Sequence, residues 1–188
     1  SGEGNLVTTY LFVTARPPSE MALLGFAAGL AIAEALEASG AQGEVRLKWP
    51  NDVMIDGAKT AGILLESGPR QGGGIWVALA FGVNIAAAPE ELDQPGTCLH
   101  AALPVGAKFL PTDADFFMSV RPKLEDWSLR LEREGFEPLR QAWLARAYGL
   151  GQSGRVQQGD AQIEGRLVGI SPRGELELET AAGTRLIA

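Results

Sequence analysis

The chain has 188 residues, which is enough for one domain of ordinary size with a small appendage. Hydrophobic residues make up 46% of the sequence, a share that excludes an intrinsically disordered chain and allows a buried core. The formal net charge of −7 argues against a general nucleic-acid-binding protein, which would carry a basic face.

The first two predicted elements are a strand and a helix. Residues 6–13 are rich in β-branched and aromatic types, which predicts a strand, and because neither alternating face is strongly polar we expect cover on both faces. Ser19 is a natural N-cap for a helix that runs to about Ser39, where Gly40 is a natural end. The apolar residues of this helix recur at helical spacing: Leu23, Phe26, Ala27, Leu30, Ala33 and Leu36.

A hairpin is predicted over residues 46–66. Asp56 and Gly57 favour a tight two-residue turn, because both tolerate the positive φ that such a turn needs, and apolar arms flank them. Charge at the rim of an apolar hairpin is costly unless it faces a cleft or solvent. Four polar residues stand at the ends of these arms: Lys48, Asn51, Asp52 and Lys59.

Taken one at a time, Lys48, Asp52 and Lys59 have a simpler interpretation as solvated charges at strand ends, because most surface charges do nothing specific. The whole pattern is different. Lys-Trp-Pro-Asn-Asp-Val over residues 48–53, followed by Lys-Thr-Ala-Gly-Ile-Leu-Leu-Glu, is not a composition that strand-forming or solubility rules generate. Pro50 removes a backbone donor where the strand should stop pairing, so the polar side chains after it are predicted to project from a broken strand end.

A glycine run and a second apolar strand follow the hairpin. Residues 72–74 are all glycine, and they predict a linker rather than a phosphate loop, because no lysine followed by serine or threonine comes next and the next element is a strand. Residues 75–85 are nearly all apolar, which predicts a strand in the interior of a sheet. Asn84 near its end either caps a turn or serves a function, and the residues alone favour neither interpretation.

The second half of the chain begins with two predicted helices. Residues 112–134 predict a helix with its cap at Thr112 or the next residue, which Pro122 should kink or split. A further helix is predicted over residues 136–148, with Pro138 tolerated in its first turn. Two tryptophans of these helices are predicted core residues: Trp127 and Trp143.

From residue 154 the sequence changes to short alternating segments separated by glycine. The predicted strands are residues 155–157, 162–170, 175–180 and 185–187. A β-module of about 35 residues is too small to be very stable alone, so we expect it to pack on the main domain.

The single cysteine and the single histidine both limit the chemistry. Cys98 excludes an internal disulfide and suits a reducing compartment, so we expect a cytoplasmic protein in which Cys98 is a small half-buried residue. His100 has no second histidine or cysteine near it, so a metal site or catalytic triad has little support and His100 is predicted at the surface. Residues 1–5 lack the features of a signal peptide, and no apolar run reaches membrane-spanning length uninterrupted.

The run over residues 48–53, together with the lysine, glycine and glutamate of residues 59–66, resembles the signature of biotin protein ligases. These enzymes attach biotin to the carrier domains of carboxylases. Three further segments are similar to parts of that family: Gly-Val-Asn-Ile over residues 82–85, Thr-Cys-Leu over 97–99, and the glycine-containing turn of 169–176. The resemblance therefore covers nearly the whole chain.

The resemblance implies an α+β fold, in which a mixed β-sheet is flanked by helices as in the class II synthetase-like biotin/lipoate ligases. It also implies a small C-terminal barrel of the SH3-like type. On this basis we expect residues 1–150 to form the catalytic domain, lacking its N-terminal part, and residues 151–188 to form the barrel.

The activity implied by the resemblance is the activation of biotin by ATP with Mg²⁺, which gives biotinyl-5′-AMP and pyrophosphate. A lysine of a biotin carboxyl carrier domain then attacks the activated biotin. The implied partners are therefore biotin, ATP and that carrier domain, with no nucleic acid and no membrane. No metal site built from protein residues is expected, and a homodimer is left open.

Four residues of the hairpin receive roles by similarity. Lys59 is expected to contact the biotin carboxylate and the phosphate, and Lys48 to support the nucleotide, because cationic groups must hold two anions in line. Asp52 is expected to orient or deprotonate the incoming lysine. Asn51 is expected to organise the ATP site through hydrogen bonds.

The two ligand pockets are also assigned by similarity. Gly62 and Leu64 are expected to form one wall of the biotin pocket together with Gly82, since glycine lets the backbone approach a ring closely. Asn84 is expected to meet the adenine of ATP. Ala80 replaces a glycine of the family and should tighten the pocket floor slightly. From the residues alone, a strand such as 61–63 is most often only packing.

The main difference from the family is that two segments expected before the first strand are missing from this sequence. A Gly-Arg-Gly-Arg-type loop and a segment rich in serine, threonine and asparagine should stand before the first strand, and the sequence begins at Ser1, just after both. The later arginines Arg155, Arg166 and Arg173 belong to the predicted C-terminal strands and do not replace the loop. We therefore expect a piece of a longer protein or a cut form, with weak or no ligase activity on its own. No helix-turn-helix segment stands before the strand in this sequence, so a repressor role has no support here, and it stays open for a missing N-terminal segment.

Two other functions stay open from the sequence. One is a relative of lipoate ligases and octanoyl transferases, against which the intact motif at residues 48–53 and the C-terminal barrel argue. The other is a non-catalytic biotin-binding module that has lost the arginine loop. A narrow apolar slot beside Gly62 and Leu64 with Lys59 at its mouth would fit biotin, a longer channel would fit an acyl chain, and a filled pocket would favour the binding module.

Overall fold

Nine strands and five helices follow one another in the computed structural model, which describes residues 3–89, 94–159 and 161–188. The first part contains β1 Leu6–Thr14, α1 Pro18–Met21, α2 Leu24–Ala38, β2 Val45–Lys48, β3 Asp52–Ile55, β4 Ala58–Pro69 and β5 Ile75–Val83. The second part contains α3 Leu99–Ala102, α4 Asp113–Glu134, α5 Glu137–Ala145, β6 Ser153–Gln158, β7 Ala161–Ile170, β8 Leu176–Thr180 and β9 Gly183–Ile187. The predicted α+β fold class is confirmed.

The first sheet has five strands in the order β1-β5-β4-β3-β2, and each of its ladders is antiparallel. The prediction of a mixed sheet, with parallel as well as antiparallel pairs, is therefore wrong. The strands from β2 to β5 follow one another through short connections, which join antiparallel neighbours, whereas parallel pairing needs a long crossover. The predicted turn at Asp56 and Gly57 is confirmed, with φ of 48° and 79° in the two residues. The strand of residues 75–85 is interior as predicted, between β1 and β4.

The two faces of this sheet have different environments. One face packs against α2 and α4, and its residues from the central strands, such as Ile63 and Phe81, are buried in the main core. The other face is open along β1, where Val7, Leu11 and Val13 are all exposed. The prediction that the first strand is covered on both faces is therefore wrong. A lack of polar residues in β1 does not show that both faces are covered, because α2 and α4 pack on the opposite face and the open face carries apolar side chains.

The first helical segment begins differently from the prediction. Ser19 lies inside α1, whose N-cap is Pro17 without a side-chain hydrogen bond, so the prediction of Ser19 as the cap is wrong. A short break separates α1 from α2, and nearly every side of α2 is buried. The stretch Pro18–Ala38 is long and apolar enough to cross a membrane, which we did not predict, but 61% of its most apolar window is buried inside the fold. That burial is what a core helix shows.

The two later helices follow the sequence more closely. Thr112 caps α4 through a reciprocal pair of hydrogen bonds with Asp115, and the helix is continuous through Pro122, so the helix is not split. Pro138 lies in the first turn of α5 as predicted. The two tryptophans are buried as predicted: Trp127 and Trp143.

The C-terminal strands form a second antiparallel sheet in the order β6-β7-β8-β9. Its apolar residues join the main core, as Ile170 and Leu178 show. Hydrogen bonds attach it to the rest of the fold: the Trp49 indole N–H donates to the Gly174 carbonyl at 3.3 Å, and Arg140 Nε donates to the Ile170 carbonyl at 2.5 Å. The expected packing of the module on the main domain is confirmed. One predicted turn residue, Asp160, lies outside the described residues.

The single cysteine and the single histidine are both more buried than predicted. Cys98 is a free, buried cysteine 7% exposed, slightly more buried than predicted. His100 is half-buried, and its Nε2 lies 2.8 Å from the Pro111 carbonyl oxygen. The prediction that His100 is a surface residue is therefore wrong, because the loop before α4 folds back onto it.

Candidate functional site

One row of cross-strand neighbours crosses the open face of the first sheet. Lys48 on β2 lies opposite Asp52 on β3, which lies opposite Gly62 on β4. Gly62 in turn lies opposite Gly82 on β5, and Val7 ends the row on β1. Directly opposed residues point to the same face of a sheet. The row therefore has a charged end, two positions without side chains in the middle, and an apolar end.

A β-bulge brings Lys59 onto this face. The register between β3 and β4 shifts by one residue after Val53, and Thr60 is the extra residue on β4. A Cβ atom built on Gly62 would lie 3.4 Å from Lys59 Nζ, so these two positions share a face although they are three residues apart. Strict alternation along a strand would place them on opposite faces, and a bulge is the usual device that re-aims a side chain in this way.

The re-aimed lysine forms an ion pair with the aspartate of the row. Lys59 Nζ lies 2.5 Å from Asp52 Oδ1, and the side chains are 30% and 12% exposed respectively. Opposite charges attract more strongly where less water separates them. The pair thus keeps a cation and a carboxylate together at the edge of the glycine positions.

Gln94 extends this pair to the second lysine. Its Oε1 accepts a hydrogen bond from Lys48 Nζ at 2.5 Å, and its Nε2 donates to Asp52 Oδ2 at 2.9 Å. The four side chains therefore form a continuous chain of contacts in the order Lys48, Gln94, Asp52 and Lys59. Sequence reasoning missed Gln94, because it lies on a loop more than 40 positions from its partners and belongs to no motif that we identified.

The loop that carries Gln94 is fixed to β4 by main-chain hydrogen bonds. The Lys59 amide donates to the Pro95 carbonyl at 2.8 Å, and the Thr97 amide donates to the Lys59 carbonyl at 2.9 Å. The Asn84 carboxamide then donates to the Thr97 carbonyl at 3.1 Å. The loop therefore joins the bulge of β4 to the end of β5, and it brings Asn84 close to the same place.

A cavity of about 160 Å³ lies beside the ion pair. Its lining residues come from the ends of β1, β4 and β5 and from the loop that follows β5, and they include Lys59, Gly62, Gly82 and Asn84. Glycine at two of these positions leaves the floor without side chains, while Leu6 and Val83 add apolar surface. The arrangement is a small apolar slot with a cation in its wall, which suits a small ligand that has an apolar body and an anionic group.

The remaining predicted residues lie around this cavity. Asn51 donates through Nδ2 to the Ile63 carbonyl at 2.8 Å, so it holds the broken end of β2 against β4. Leu64 is 56% exposed on the open face and does not line the cavity, and Ala80 is its cross-strand neighbour. Asp52 and Lys48 are not among the residues that line the cavity. Asp52 contacts Lys59, which does line it, and Gln94 links Lys48 to Asp52.

Two further observations limit the site. Within residues 3–89, 94–159 and 161–188, no group of three or more histidine, cysteine, aspartate or glutamate side chains could hold a metal ion. A larger apolar groove of about 610 Å³ lies between β1 and α4, and it contains none of the predicted site residues. Of the predicted site residues, Lys59, Gly62, Gly82 and Asn84 line the smaller cavity, whereas Lys48 lines a separate cavity of about 800 Å³ between the end of β2 and the C-terminal sheet.

Two family models match the sequence. The model described as the biotin/lipoate A/B protein ligase family matches residues 2–85, and the model of the biotin protein ligase C-terminal domain matches residues 149–188. The first match contains the hairpin and the whole of the first sheet. The second contains the four strands of the C-terminal sheet.

Individual relatives are similar over most of the chain. The biotin–[acetyl-CoA-carboxylase] ligase of Paracoccus denitrificans is 38% identical over 168 residues, which is 88% of this chain and 70% of that protein. The bifunctional ligase/repressor BirA of Bacillus subtilis is 28% identical over 193 residues, which is 100% of this chain but only 58% of that protein. The solved structure of the biotin protein ligase from Aquifex aeolicus in complex with biotin and ATP superimposes with a TM-score of 0.78 at 25% identity. That superposition covers 98% of this chain and 75% of the other.

Proposed function

This chain belongs to the biotin protein ligase family, and on that premise we propose that it carries the catalytic site of an ATP-dependent biotin ligase. The enzyme joins biotin to AMP and then transfers the biotinyl group to a lysine of a biotin carboxyl carrier domain. The chain spans 70% of its Paracoccus relative and 58% of its Bacillus relative, so the activity of a whole relative is proposed for it by analogy.

The observation that carries the proposal is the ion pair of Lys59 and Asp52 at the glycine-floored cavity. Activation of a carboxylic acid needs a cation where two anions meet, and acyl transfer to an amine needs a group that accepts a proton. Lys59 and Asp52 supply these two groups 2.5 Å apart. Gly62 and Gly82 supply an apolar floor for a ring beside them.

In the first step a carboxylate oxygen of biotin attacks the α-phosphorus of ATP, and the bond to pyrophosphate breaks. Lys59 lines the cavity, so its ammonium is available to the biotin carboxylate and the α-phosphate together. Holding two anions in line and neutralising their charge lowers the barrier. Lys48 carries the second positive charge, which in this proposal supports the nucleotide.

In the second step the amine of the acceptor lysine attacks the acyl carbon, and AMP leaves. The amine must be neutral to attack and must lose a proton as the amide forms. Asp52 is the carboxylate of the row across the open face, and its side chain is 12% exposed. We propose that it orients that amine and accepts the proton.

The other site residues position the ligands. In this proposal the biotin ring lies against Gly62 and Gly82, and Leu64 continues the apolar floor beyond the cavity. Asn84 recognises adenine. Asn51 holds the end of β2 in place through its bond to the Ile63 carbonyl.

In this proposal Mg²⁺ binds together with ATP. Its usual ligands are oxygens, and it is commonly held by substrate phosphates and only one or two carboxylates. The described residues contain no carboxylate cluster of the kind that would hold the ion by itself. When bound, Mg²⁺ would neutralise phosphate charge, and no protein ligand is assigned to it.

Biotin is favoured over lipoate or an octanoyl chain by two observations. The match at residues 149–188 is to the biotin protein ligase C-terminal domain. The motif of residues 48–53, which resembles that of the biotin protein ligases, is intact. The cavity beside Gly62 is open, whereas a filled pocket would favour the non-catalytic module that has lost the arginine loop. In this proposal the protein acts in the cytoplasm, a reducing compartment that the single cysteine suits.

The test is transfer of biotin to a purified biotin-accepting carrier domain, detected as the mass increase of the carrier. The 188-residue chain and the complete product of its gene are assayed side by side with Mg²⁺ and ATP. Lipoate and octanoate replace biotin in parallel reactions, and omission of ATP is the blank. Transfer of biotin by either protein supports the proposal. Transfer of lipoate or octanoate alone, or of nothing by either protein, contradicts it.

A further inference from the structure

We propose that Gln94 is a positioning residue that keeps Lys48 and Asp52 apart and fixes the direction of both. The inference rests on the proposed function, because it concerns the two charged groups to which that function assigns separate steps. Gln94 belongs to none of the motifs that identify the family in this sequence.

Each polar atom of the Gln94 carboxamide has a hydrogen-bond partner of the complementary type. A carboxamide has an acceptor oxygen and a donor nitrogen. The oxygen accepts from the Lys48 ammonium, which only donates, and the nitrogen donates to the Asp52 carboxylate, which only accepts. A glutamate in the same position could serve the lysine but would turn a negative charge toward Asp52. A shorter asparagine could not span both partners.

The two partners would otherwise be expected to meet. Lys48 and Asp52 are directly opposed on β2 and β3, and opposite charges in that position form favourable cross-strand pairs. Instead, each is bonded to Gln94, while the other Asp52 oxygen contacts Lys59. The carboxamide therefore acts as a neutral spacer. It keeps the Lys48 ammonium and the Asp52 carboxylate from pairing with each other, and it holds each of them in a defined direction.

The loop is anchored firmly enough for this role. The residues that follow Gln94 bond to both the amide and the carbonyl of Lys59, through Pro95 and Thr97. Thr97 also accepts from Asn84. The position of the carboxamide is thus tied to β4, the strand that carries the bulge, and not only to its own side-chain contacts.

The first experiment does not depend on ligase activity. Crystal structures of the Gln94→Ala and Gln94→Glu chains are compared with the unsubstituted chain. We expect Lys48 Nζ to move to within ion-pair distance of the Asp52 carboxylate in Gln94→Ala. In Gln94→Glu we expect the Asp52 carboxylate to turn away from residue 94. Unchanged positions of Lys48 and Asp52 in both variants would overturn the inference, whatever the assay of the proposed function shows.

The second experiment measures the two half-reactions separately in the protein that transfers biotin. For Gln94→Ala we expect kcat of both half-reactions to fall by roughly tenfold to a hundredfold, as misplaced catalytic groups do, with the KM for biotin changed less than about threefold. For Gln94→Glu we expect transfer to fall more than activation, because the Lys48 contact survives. The matched control is Gln71→Glu, an equal charge change in the exposed turn between β4 and β5.

The outcomes separate the two proposals. If the unsubstituted protein does not transfer biotin, the proposed function fails, and the crystal structures alone decide the role of Gln94. If it transfers biotin and both Gln94 variants keep the unsubstituted kcat, the positioning role is overturned. A rise in KM with kcat unchanged would also overturn it, since that pattern marks uniform binding rather than positioning.

Discussion

Lys59 and Asp52 form an ion pair at 2.5 Å although the order of residues along β4 would place Lys59 on the other face of the sheet. The extra residue Thr60 reverses that placement. Thr60 is itself fully buried, and its carbonyl accepts a hydrogen bond from the Asn84 amide at 2.8 Å. The bulge that creates the site is therefore held by the strand end that carries the predicted adenine contact.

Replacement of Lys59 should stop the first step. For Lys59→Ala we expect biotin-dependent release of pyrophosphate from ATP to fall at least a hundredfold, because the charge that stabilises the transition state is lost. The control is Lys108→Ala, which removes an exposed lysine of the loop before α4. A Lys59→Ala protein that releases pyrophosphate within about threefold of the unsubstituted rate would contradict the role of Lys59.

Replacement of Asp52 should separate the two steps. For Asp52→Asn we expect adenylate formation to fall less than about tenfold, whereas transfer from preformed biotinyl-5′-AMP to the carrier domain falls roughly a hundredfold or more, as loss of a general base does. Both rates are followed by mass detection. Asp126→Asn, an exposed aspartate of α4, controls for the change in net charge. Equal losses in the two steps would show that Asp52 does not serve the acceptor amine.

A side chain at Gly62 should block the cavity without unfolding the protein. A Cβ atom there meets only the flexible end of Lys59 at 3.4 Å and Asp52 Oδ1 at 3.7 Å, so Gly62→Val is accommodated by movement of the lysine. We expect the affinity for biotin, measured by calorimetry, to fall at least tenfold while the melting temperature changes little. Gly25→Ala in α2, where a Cβ meets nothing within 4 Å, should leave biotin binding unchanged. Unaltered affinity in Gly62→Val would place biotin elsewhere.

Contact between the C-terminal sheet and α2 should be sensitive to Gly174. Its φ is 85°, and a Cβ atom there would lie 3.0 Å from both Leu23 and Phe26. We expect Gly174→Ala to destabilise the protein by about 1 kcal/mol or more in urea unfolding. Gly151→Ala is the matched control, with a φ of 79° and open space around the new Cβ, so it shows the backbone strain alone. Equal effects of the two substitutions would mean that the packing contact costs nothing.

The cap of α4 should make a small contribution to the stability of the protein that is lost at acidic pH. Hydrogen bonds from the Thr112 hydroxyl and amide hold the pKa of Asp115 below its usual value. A carboxylate with a lowered folded-state pKa stabilises the fold fully above its unfolded pKa of about 3.9, and this contribution is lost as the pH falls through the folded value. We expect Asp115→Ala to lower the urea midpoint at pH 7, with the difference from the unsubstituted protein shrinking below pH 4. A difference that is constant with pH would contradict this account.

The local chemistry of the sequence determined several elements. The turn of Asp56 and Gly57, the cap at Thr112, the first-turn position of Pro138 and the buried tryptophans all depend on a residue and its immediate neighbours. Backbone preference and side-chain size act over a few positions, so a single sequence is enough to predict them. The motif over residues 48–53 likewise indicated the family without any structure.

Only the tertiary structure decided which of the predicted site residues contact one another and on which face of the sheet they lie. The bulge at Thr60 is stabilised through its bond to Asn84, and Gln94 reaches Lys48 and Asp52 because the loop after it pairs with β4. The outer face of β1 is open because α2 and α4 pack on the opposite face of the sheet. These features depend on contacts between segments far apart in the chain, whose free energy exists only once the sheet has formed, so no local pattern of residues encodes them.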